Sequence, residues 1–257
     1  MLRADIRSGI RNPARWVIVL ILLLLWFFIE AKYVRIPNLE TESLDSLRLT
    51  FGSDAETLDE FMVDYLSIML RKIGHDASGI SWFLPAMSGL MIATSFGSRD
   101  VQFLLMRGVS RGKFMAIKML HFAVVILLMH LAALLLHVVR MGGAFAFRNL
   151  DWGLFFTIFW TRSLFILAWL SVTVMIAFVS QNTFITLGLS YAYLILSAAL
   201  GAYNAIRPYF PIYYKDYWRD PTQLDMLHSG ILVSVIYLVI FTLLSYLFFR
   251  RATIVRD

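Results

Sequence analysis

Six stretches of this chain run for sixteen residues or more with at most one charged side chain, and nothing constrains the fold more than that. A backbone crossing a hydrocarbon core about 30 Å thick must satisfy its own hydrogen bonds, which takes roughly 20 residues of helix. The candidate spans are Trp16 to Ala31, Ile80 to Phe96, Phe114 to Val139, Leu154 to Val179, Phe184 to Tyr203 and Gly230 to Phe249. With 60% hydrophobic residues, 16% charged residues and a mean hydropathy of +0.73, the chain is too apolar to present a mixed surface to water. The expected fold is an all-α integral membrane protein, residues 1–257 forming one transmembrane domain with six transmembrane helices.

The charges sit between these stretches, and Lys and Arg set the orientation. With the N-terminus inside, the cytoplasmic segments (1–15, 97–119 and 250–257) hold twelve Lys and Arg in short lengths. The outside segments hold ten, spread over longer loops and diluted by acidic residues. Both termini are therefore expected in the cytoplasm. Arg3, Arg7, Arg11 and Arg15 recur every four residues beside Leu2, Ile6 and Ile10, so residues 1–15 are expected to form an interfacial helix on an anionic membrane face. The apolar run ending at Trp26, Phe27, Phe28 and Ile29 has no convincing small-residue cleavage site, so it reads as an uncleaved first span. The net charge of +6 is thus a membrane-orientation signal, and no extended soluble surface remains for nucleic acid. The absence of Cys excludes disulfides, thiolate metal sites and thiol catalysis.

Residues 32–78 form the longest expected outside loop. Ser53 and Glu56 make a capping-box pattern, and Leu58, Phe61, Met62, Tyr65, Leu66 and Met69 follow at helical spacing, predicting an extracytoplasmic amphipathic helix. Its apolar face must rest on the outer leaflet, the other outside loops or a partner chain, as a structural lid or as a substrate-binding surface. Residues 204–228 carry Tyr209, Phe210, Tyr213, Tyr214, Tyr217 and Trp218 among three prolines, which reads as an extracytoplasmic aromatic hairpin at headgroup level.

The spans lack an engine. A carboxylate in the bilayer is kept only where it works, yet no Asp or Glu lies at the middle of any span, and Glu30 sits at the outer end of the first. His121, His130 and His137 lie in the third span at separations of nine and seven, so none forms the i, i+4 pair of a helical zinc site. They read as packed or pore-lining. No HExxH or GxSxG pattern occurs. Arg162 is the one charge well inside a span. Either the fourth helix begins near Ser163, with Leu154 to Thr161 at the interface, or Arg162 faces a polar cavity and, with His130 and His137, touches an anionic group of a substrate.

Between the second and third spans runs GSRDVQFLLMRGVSRGKFMAIKML, residues 97–120. Val101, Leu104 and Leu105 share one helical face, Ser98 can cap it, and Arg107, Arg111 and Lys113 follow past the break at Gly108. Such a piece can lie flat under the membrane, and as a positive-inside anchor it also orients the chain. The run LLMRGVSRGKFMAIK, Leu104 to Lys118, resembles the signature of permease subunits of the type-2 ABC exporter family. There a leucine-rich turn is followed by Arg, usually Pro, Val or Ile, Ser or Thr, Arg, and a Lys several residues on. This chain departs from it with Gly108 where Pro is common, and with Arg99 and Asp100 where a Gly-Thr pair often stands.

The resemblance implies that residues 97–113 form a cytoplasmic coupling helix and loop docking into a groove on a separate ABC ATP-binding subunit. Arg99, Asp100, Val101, Leu104, Leu105, Arg107, Ser110, Arg111 and Lys113 are then the coupling residues. ATP and magnesium would be held by that subunit. This chain has no nucleotide site, since only three residues separate Gly108 from Gly112 and Phe114 stands where Ser or Thr should bind magnesium. No catalytic residue and no cofactor on this chain is expected. The resemblance further implies a second permease subunit, expected to be identical, and a multi-pass place in the bacterial cytoplasmic membrane. Ser197 with Gly201, and Ala198 with Ala202, are small-xxx-small pairs suited to such a dimer. The expected function is export of amphipathic or hydrophobic peptides, because the walls are apolar and an amphipathic helix waits outside. The competing expectation is a non-transporting sensor or immunity protein that sequesters a peptide through its outside loop.

Overall fold

A computed structural model describes residues 43–72, 85–97, 100–211, 213–214 and 224–251, with Leu20, Ile21, Leu24 and Phe28 as isolated helical positions. The expected interfacial helix at 1–15, most of the first span and the start of the second lie outside the described residues. Among the described residues every regular element is helical. In chain order these are α1 (Leu44–Phe51), α2 (Leu58–Lys72), a π-helical turn (Gly89–Ala93) running into α3 (Thr94–Gly97), α4 (Asp100–Met106), α5 (Arg111–Asn149), α6 (Trp152–Ser180), α7 (Thr183–Gly201), a 3-10 turn (Arg207–Tyr209) and α8 (Leu224–Arg251).

Four helices, α5, α6, α7 and Leu227–Arg251 of α8, are long and apolar enough to cross a membrane. The shortest, α7, has 19 residues, about 28 Å at the helical rise, close to the hydrocarbon thickness. The starts of α5, α6 and α7 carry caps. Ser110, Asp151 and Asn182 side chains accept backbone N–H groups at the first turns of α5, α6 and α7. The helix of the expected fourth span, α6, therefore begins at Trp152 and runs unbroken through Arg162, so the expectation of a helix start near Ser163 is corrected. The third span outruns its expected end at Val139: α5 breaks at Gly142 and Gly143, then continues to Asn149.

The bundle is built around α6, which touches α2, α5, α7, α8 and the π-helical turn. Its apolar residues cover every side, the pattern of a helix enclosed by others. Two cores result. At the end carrying the basic loop, Val101, Phe114, Ile126, Trp169, Phe178 and Phe249 belong to one cluster. At the opposite end, α1 and α2 close over the ends of α5 and α6, where Leu47, Phe61, Leu66 and Leu70 join Leu134, Val138, Phe155 and Ile158.

The amphipathic helix of the 32–78 loop thus packs against its own chain. Its cap is not the expected Ser53 and Glu56. Thr57 Oγ1 accepts the Glu60 N–H at 3.3 Å, while Glu60 Oε2 accepts the Thr57 N–H at 3.3 Å and the Glu56 N–H at 3.0 Å. Ser53 instead donates to Asp64 Oδ2 at 2.7 Å, fastening the α1–α2 turn to α2. Phe51 of α1 meets Phe61 and Tyr65 edge-on, with centroids 5.8 and 5.3 Å apart. In the aromatic segment after α7, Tyr214 donates to the Pro208 carbonyl at 2.7 Å, its ring 6.1 Å from that of Phe165. Arg207 lies over the Tyr213 ring at 4.0 Å. Residues 212 and 215–223 of that segment lie outside the described residues.

Two outcomes are expected. A Cβ at Gly230 would lie 2.6 Å from Tyr214 Cγ, so Gly230→Ala must displace the ring that pins the aromatic segment to α8. It should lower stability by roughly 1–3 kcal/mol, read as a drop in thermal unfolding temperature in detergent. Burial raises the Tyr65 phenol from 10.0 to about 12, partly offset by the nearby Arg140 charge. The stability tied to its neutral form is complete below pH 10 and is lost as pH rises toward 12. Tyr65→Phe should move the alkaline unfolding midpoint upward.

Candidate functional site

The basic loop holds one short helix, α4, with a defined stop at its C-terminal end. Asp100 opens α4. The helix stops in a Schellman turn: the Gly108 N–H donates to Leu105 O at 3.0 Å and the Val109 N–H to Leu104 O at 3.2 Å. Gly108 has φ +81°, a left-handed conformation that proline's ring cannot adopt. The departure from the family pattern at this position therefore specifies how the helix ends. Ser110 then accepts the Lys113 N–H at 3.3 Å and starts α5 two residues after the turn.

The loop's faces divide sharply. Val101 is 1% exposed and sits in the core, with Leu104 and Leu105 half-buried against the same cluster. This apolar face, expected to meet a partner, is seated on the chain's own bundle. Met106, 79% exposed, with exposed Arg107, Gly108, Ser110 and Lys113, forms the outward surface. Met106 was invisible in the leucine-rich run because only the packing tells which side of so short a helix is covered. Five residues past Val101, it falls on roughly the opposite face at about 100° per residue. Arg99 and Ser98 lie outside the described residues.

Arg111 is engaged within the chain. Its Nη1 donates to the carbonyls of Phe249 at 2.9 Å and Arg250 at 2.8 Å, satisfying acceptors at the C-terminal end of α8. Beside it four phenylalanines from α3, α5, α6 and α8 meet. Phe96 lies 6.0 Å from Phe114, 6.1 Å from Phe178 and 5.7 Å from Phe249, and Phe178 lies 5.4 Å from Phe249. The loop is thereby joined to three long helices at once.

The other expected site residues lie apart from this loop. Arg162 is 2% exposed, and its Nη2 donates to the Arg71 carbonyl at 2.6 Å, in the last turn of α2. It latches α2 to α6. One helical position on, Ser163 Oγ lies 2.7 Å from Nδ1 of buried His130, tying α5 to α6. His137 is fully buried two turns further along α5. Among the described residues no group of three or more His, Asp or Glu could hold a metal ion. Ser197 is buried, donating to Leu194 O at 2.9 Å, while Ala198 and Ala202 stay exposed. The pair Ser197 and Gly201 therefore turns partly into the chain's own bundle, and the alanine pair keeps the outer side of α7. At the α1–α2 joint a shallow hollow of about 410 Å³ is lined by Asp45, Arg48, Leu49, Gly52, Ser53 and Asp54.

What fold and loop define is a class: an all-helical, multi-pass membrane protein with a braced, basic surface loop between its apolar helices. Comparison with family models, with curated proteins and with solved structures gives no match.

The Schellman turn makes a graded test. A Cβ at Gly108 meets nothing within 4 Å, so Gly108→Ala should cost only the backbone strain of a left-handed residue, about 1–2 kcal/mol. Gly108→Asn should cost less. Gly108→Pro, the residue common in the resembling family, should cost most, since it also removes the N–H given to Leu105 O. Thermal unfolding of the three variants checks that order.

Proposed function

We propose that this chain is the membrane-spanning permease subunit of an ATP-driven ABC exporter, moving amphipathic or hydrophobic peptides outward. The observation that carries the reading is the basic loop: a seven-residue helix whose apolar side is anchored inward and whose tip offers Met106 and Arg107 to the solution. A purely orienting anchor needs positive charge alone. This loop also has a fixed shape and a rigid link to the bundle, which coupling requires, and Leu104 to Lys118 carries the family-like pattern.

In this proposal six helices cross the bacterial cytoplasmic membrane with both termini inside, and two such chains face each other. A separate ABC subunit holds ATP and magnesium and receives the loop in a groove. Its closure on ATP binding pushes Met106 and Arg107. Through Arg111 on the end of α8, and through Phe114 and Phe249, the push rotates α8 against α6. A population shift of this kind needs contacts that differ between the two states, and a rigid helix seated in a groove can supply them. Arg162 and His130 hold the outer lid and the helix pair beneath it, and belong to the opposite gate.

Co-purification tests the reading. The wild-type chain should bring down an ATP-binding subunit from its native membrane. Met106→Asp combined with Arg107→Glu should weaken that association roughly 30-fold or more, as loss of a central interface anchor does. Met106→Asp alone should weaken the association in the same direction with the unfolding temperature unchanged, because that side chain is exposed. A wild-type chain that brings down no ATPase, or a double variant that still does, would sink the proposal.

A further inference from the structure

A hydroxyl side chain in a membrane helix has a ready acceptor in a carbonyl one turn back, and most hydroxyls in this bundle use it. Thr157 donates to Gly153 O at 2.7 Å, Ser171 to Ala168 O at 2.6 Å, Thr173 to Leu170 O at 2.8 Å, Ser197 to Leu194 O at 2.9 Å and Ser245 to Phe241 O at 2.6 Å. Ser190 on α7 and Ser234 on α8 do not. Both are 0% exposed, and neither Oγ has a hydrogen-bond partner. The indole Nε1 of Trp169 on α6 and the phenol oxygen of Tyr193 on α7 are also buried without a partner.

These groups occupy one level of the bundle. The Trp169 and Tyr193 rings stack at 5.6 Å and 27°. Ser190 stands one turn before Tyr193 on the same side of α7, and Ser234 one turn before Tyr237 on α8. The Tyr237 carbonyl lies 3.4 Å from Ser171 Oγ, which sets α8 beside α6 two residues past Trp169. An unused buried donor is costly, more so where no water can reach it, and four on α6 and the two helices packed against it, α7 and α8, call for a reason beyond packing. Phe and Ala would fill the same space without the cost.

We propose that Trp169, Ser190, Tyr193 and Ser234 are the hydrogen-bonding lining of a substrate path between α6, α7 and α8, closed in this structure, and that they serve the backbone carbonyls of a peptide crossing the bilayer. The ligand chemistry follows from the donors. Indole N–H can only donate, and the three hydroxyls are free to donate. Among the described residues this level carries no charged side chain, which favours neutral acceptors such as amide carbonyls. The helices that would part to open it are those least enclosed by the rest of the chain, α7 and α8. The inference rests on the reading of the chain as a peptide exporter and names the residues of that path.

The test uses the full chain in phosphatidylcholine vesicles, titrated with an N-dansylated Leu-Ala octapeptide amide. Dansylated dodecylamine, which has no carbonyl acceptors, is titrated in parallel, and empty vesicles correct for partition into lipid. Trp169→Phe, Tyr193→Phe, Ser190→Ala and Ser234→Ala should each weaken peptide binding about three- to tenfold, the effect of one lost hydrogen bond, and leave alkylamine binding unchanged. The three hydroxyl variants should keep or raise the unfolding temperature, since each removes an unsatisfied buried group. Ser197→Ala, whose hydroxyl bonds its own helix, should leave peptide binding as it is. Unchanged peptide affinity in all four variants, equal loss for the alkylamine, no wild-type binding above empty vesicles, or lower unfolding temperatures in the hydroxyl variants would each overturn the inference. Binding is read without any ATP-binding subunit, so failure to capture that subunit bears on the proposed function and leaves this result readable.

Discussion

The four-ring contact of Phe96, Phe114, Phe178 and Phe249 is where the bundle becomes one body, because it joins α3, α5, α6 and α8, each ring about 6 Å from at least two of the others. In a membrane, lipid tails compete with side chains for apolar contact, so helices associate through close packing and hydrogen bonds. Large rings meeting edge-on supply that packing, and their quadrupoles fix the angles. Val101 from the basic loop reaches the same cluster. The loop's position is thereby a property of the whole bundle.

Two arginines complete the frame by the same chemistry at opposite ends. Arg111 donates to the last carbonyls of α8, and Arg162 to a last-turn carbonyl of α2. Helix ends leave carbonyls without intrahelical donors, and the C-terminal end carries partial negative charge. A guanidinium meets both needs, with planar donors and a weakly hydrated charge. This is why a fully buried Arg162 is tolerable on a helix that is otherwise apolar on all sides. Its neighbour Ser163 and buried His130 then extend a polar link from α6 to α5.

The long helices were legible because the bilayer demands length and apolarity, which composition records directly. Their ends were less so. Ser53 and Glu56 fit a capping pattern as well as Thr57 and Glu60 do, and overlapping patterns of one form are told apart only by where the chain turns. Arg162 had two readings from sequence; the helix does not begin at Ser163, and the carbonyl that Arg162 meets lies ninety-one residues away, where no local pattern points. The same limit applied to the basic loop. Its helix and its stop at Gly108 follow from local chemistry, but the choice of which face meets the bundle does not.

By itself, then, the sequence determined that the chain is an all-helical membrane protein, with most of its charge held between the apolar stretches and an amphipathic helix in need of cover. These are consequences of solvation, which each segment carries alone. Tertiary structure alone decided that the basic loop turns Val101 inward and Met106 outward, that α2 is covered by its own chain, and that Trp169, Ser190, Tyr193 and Ser234 come to one level with donors unused. A hydrogen bond made or left unmade depends on what stands a few ångströms away, and that is set by packing between distant segments.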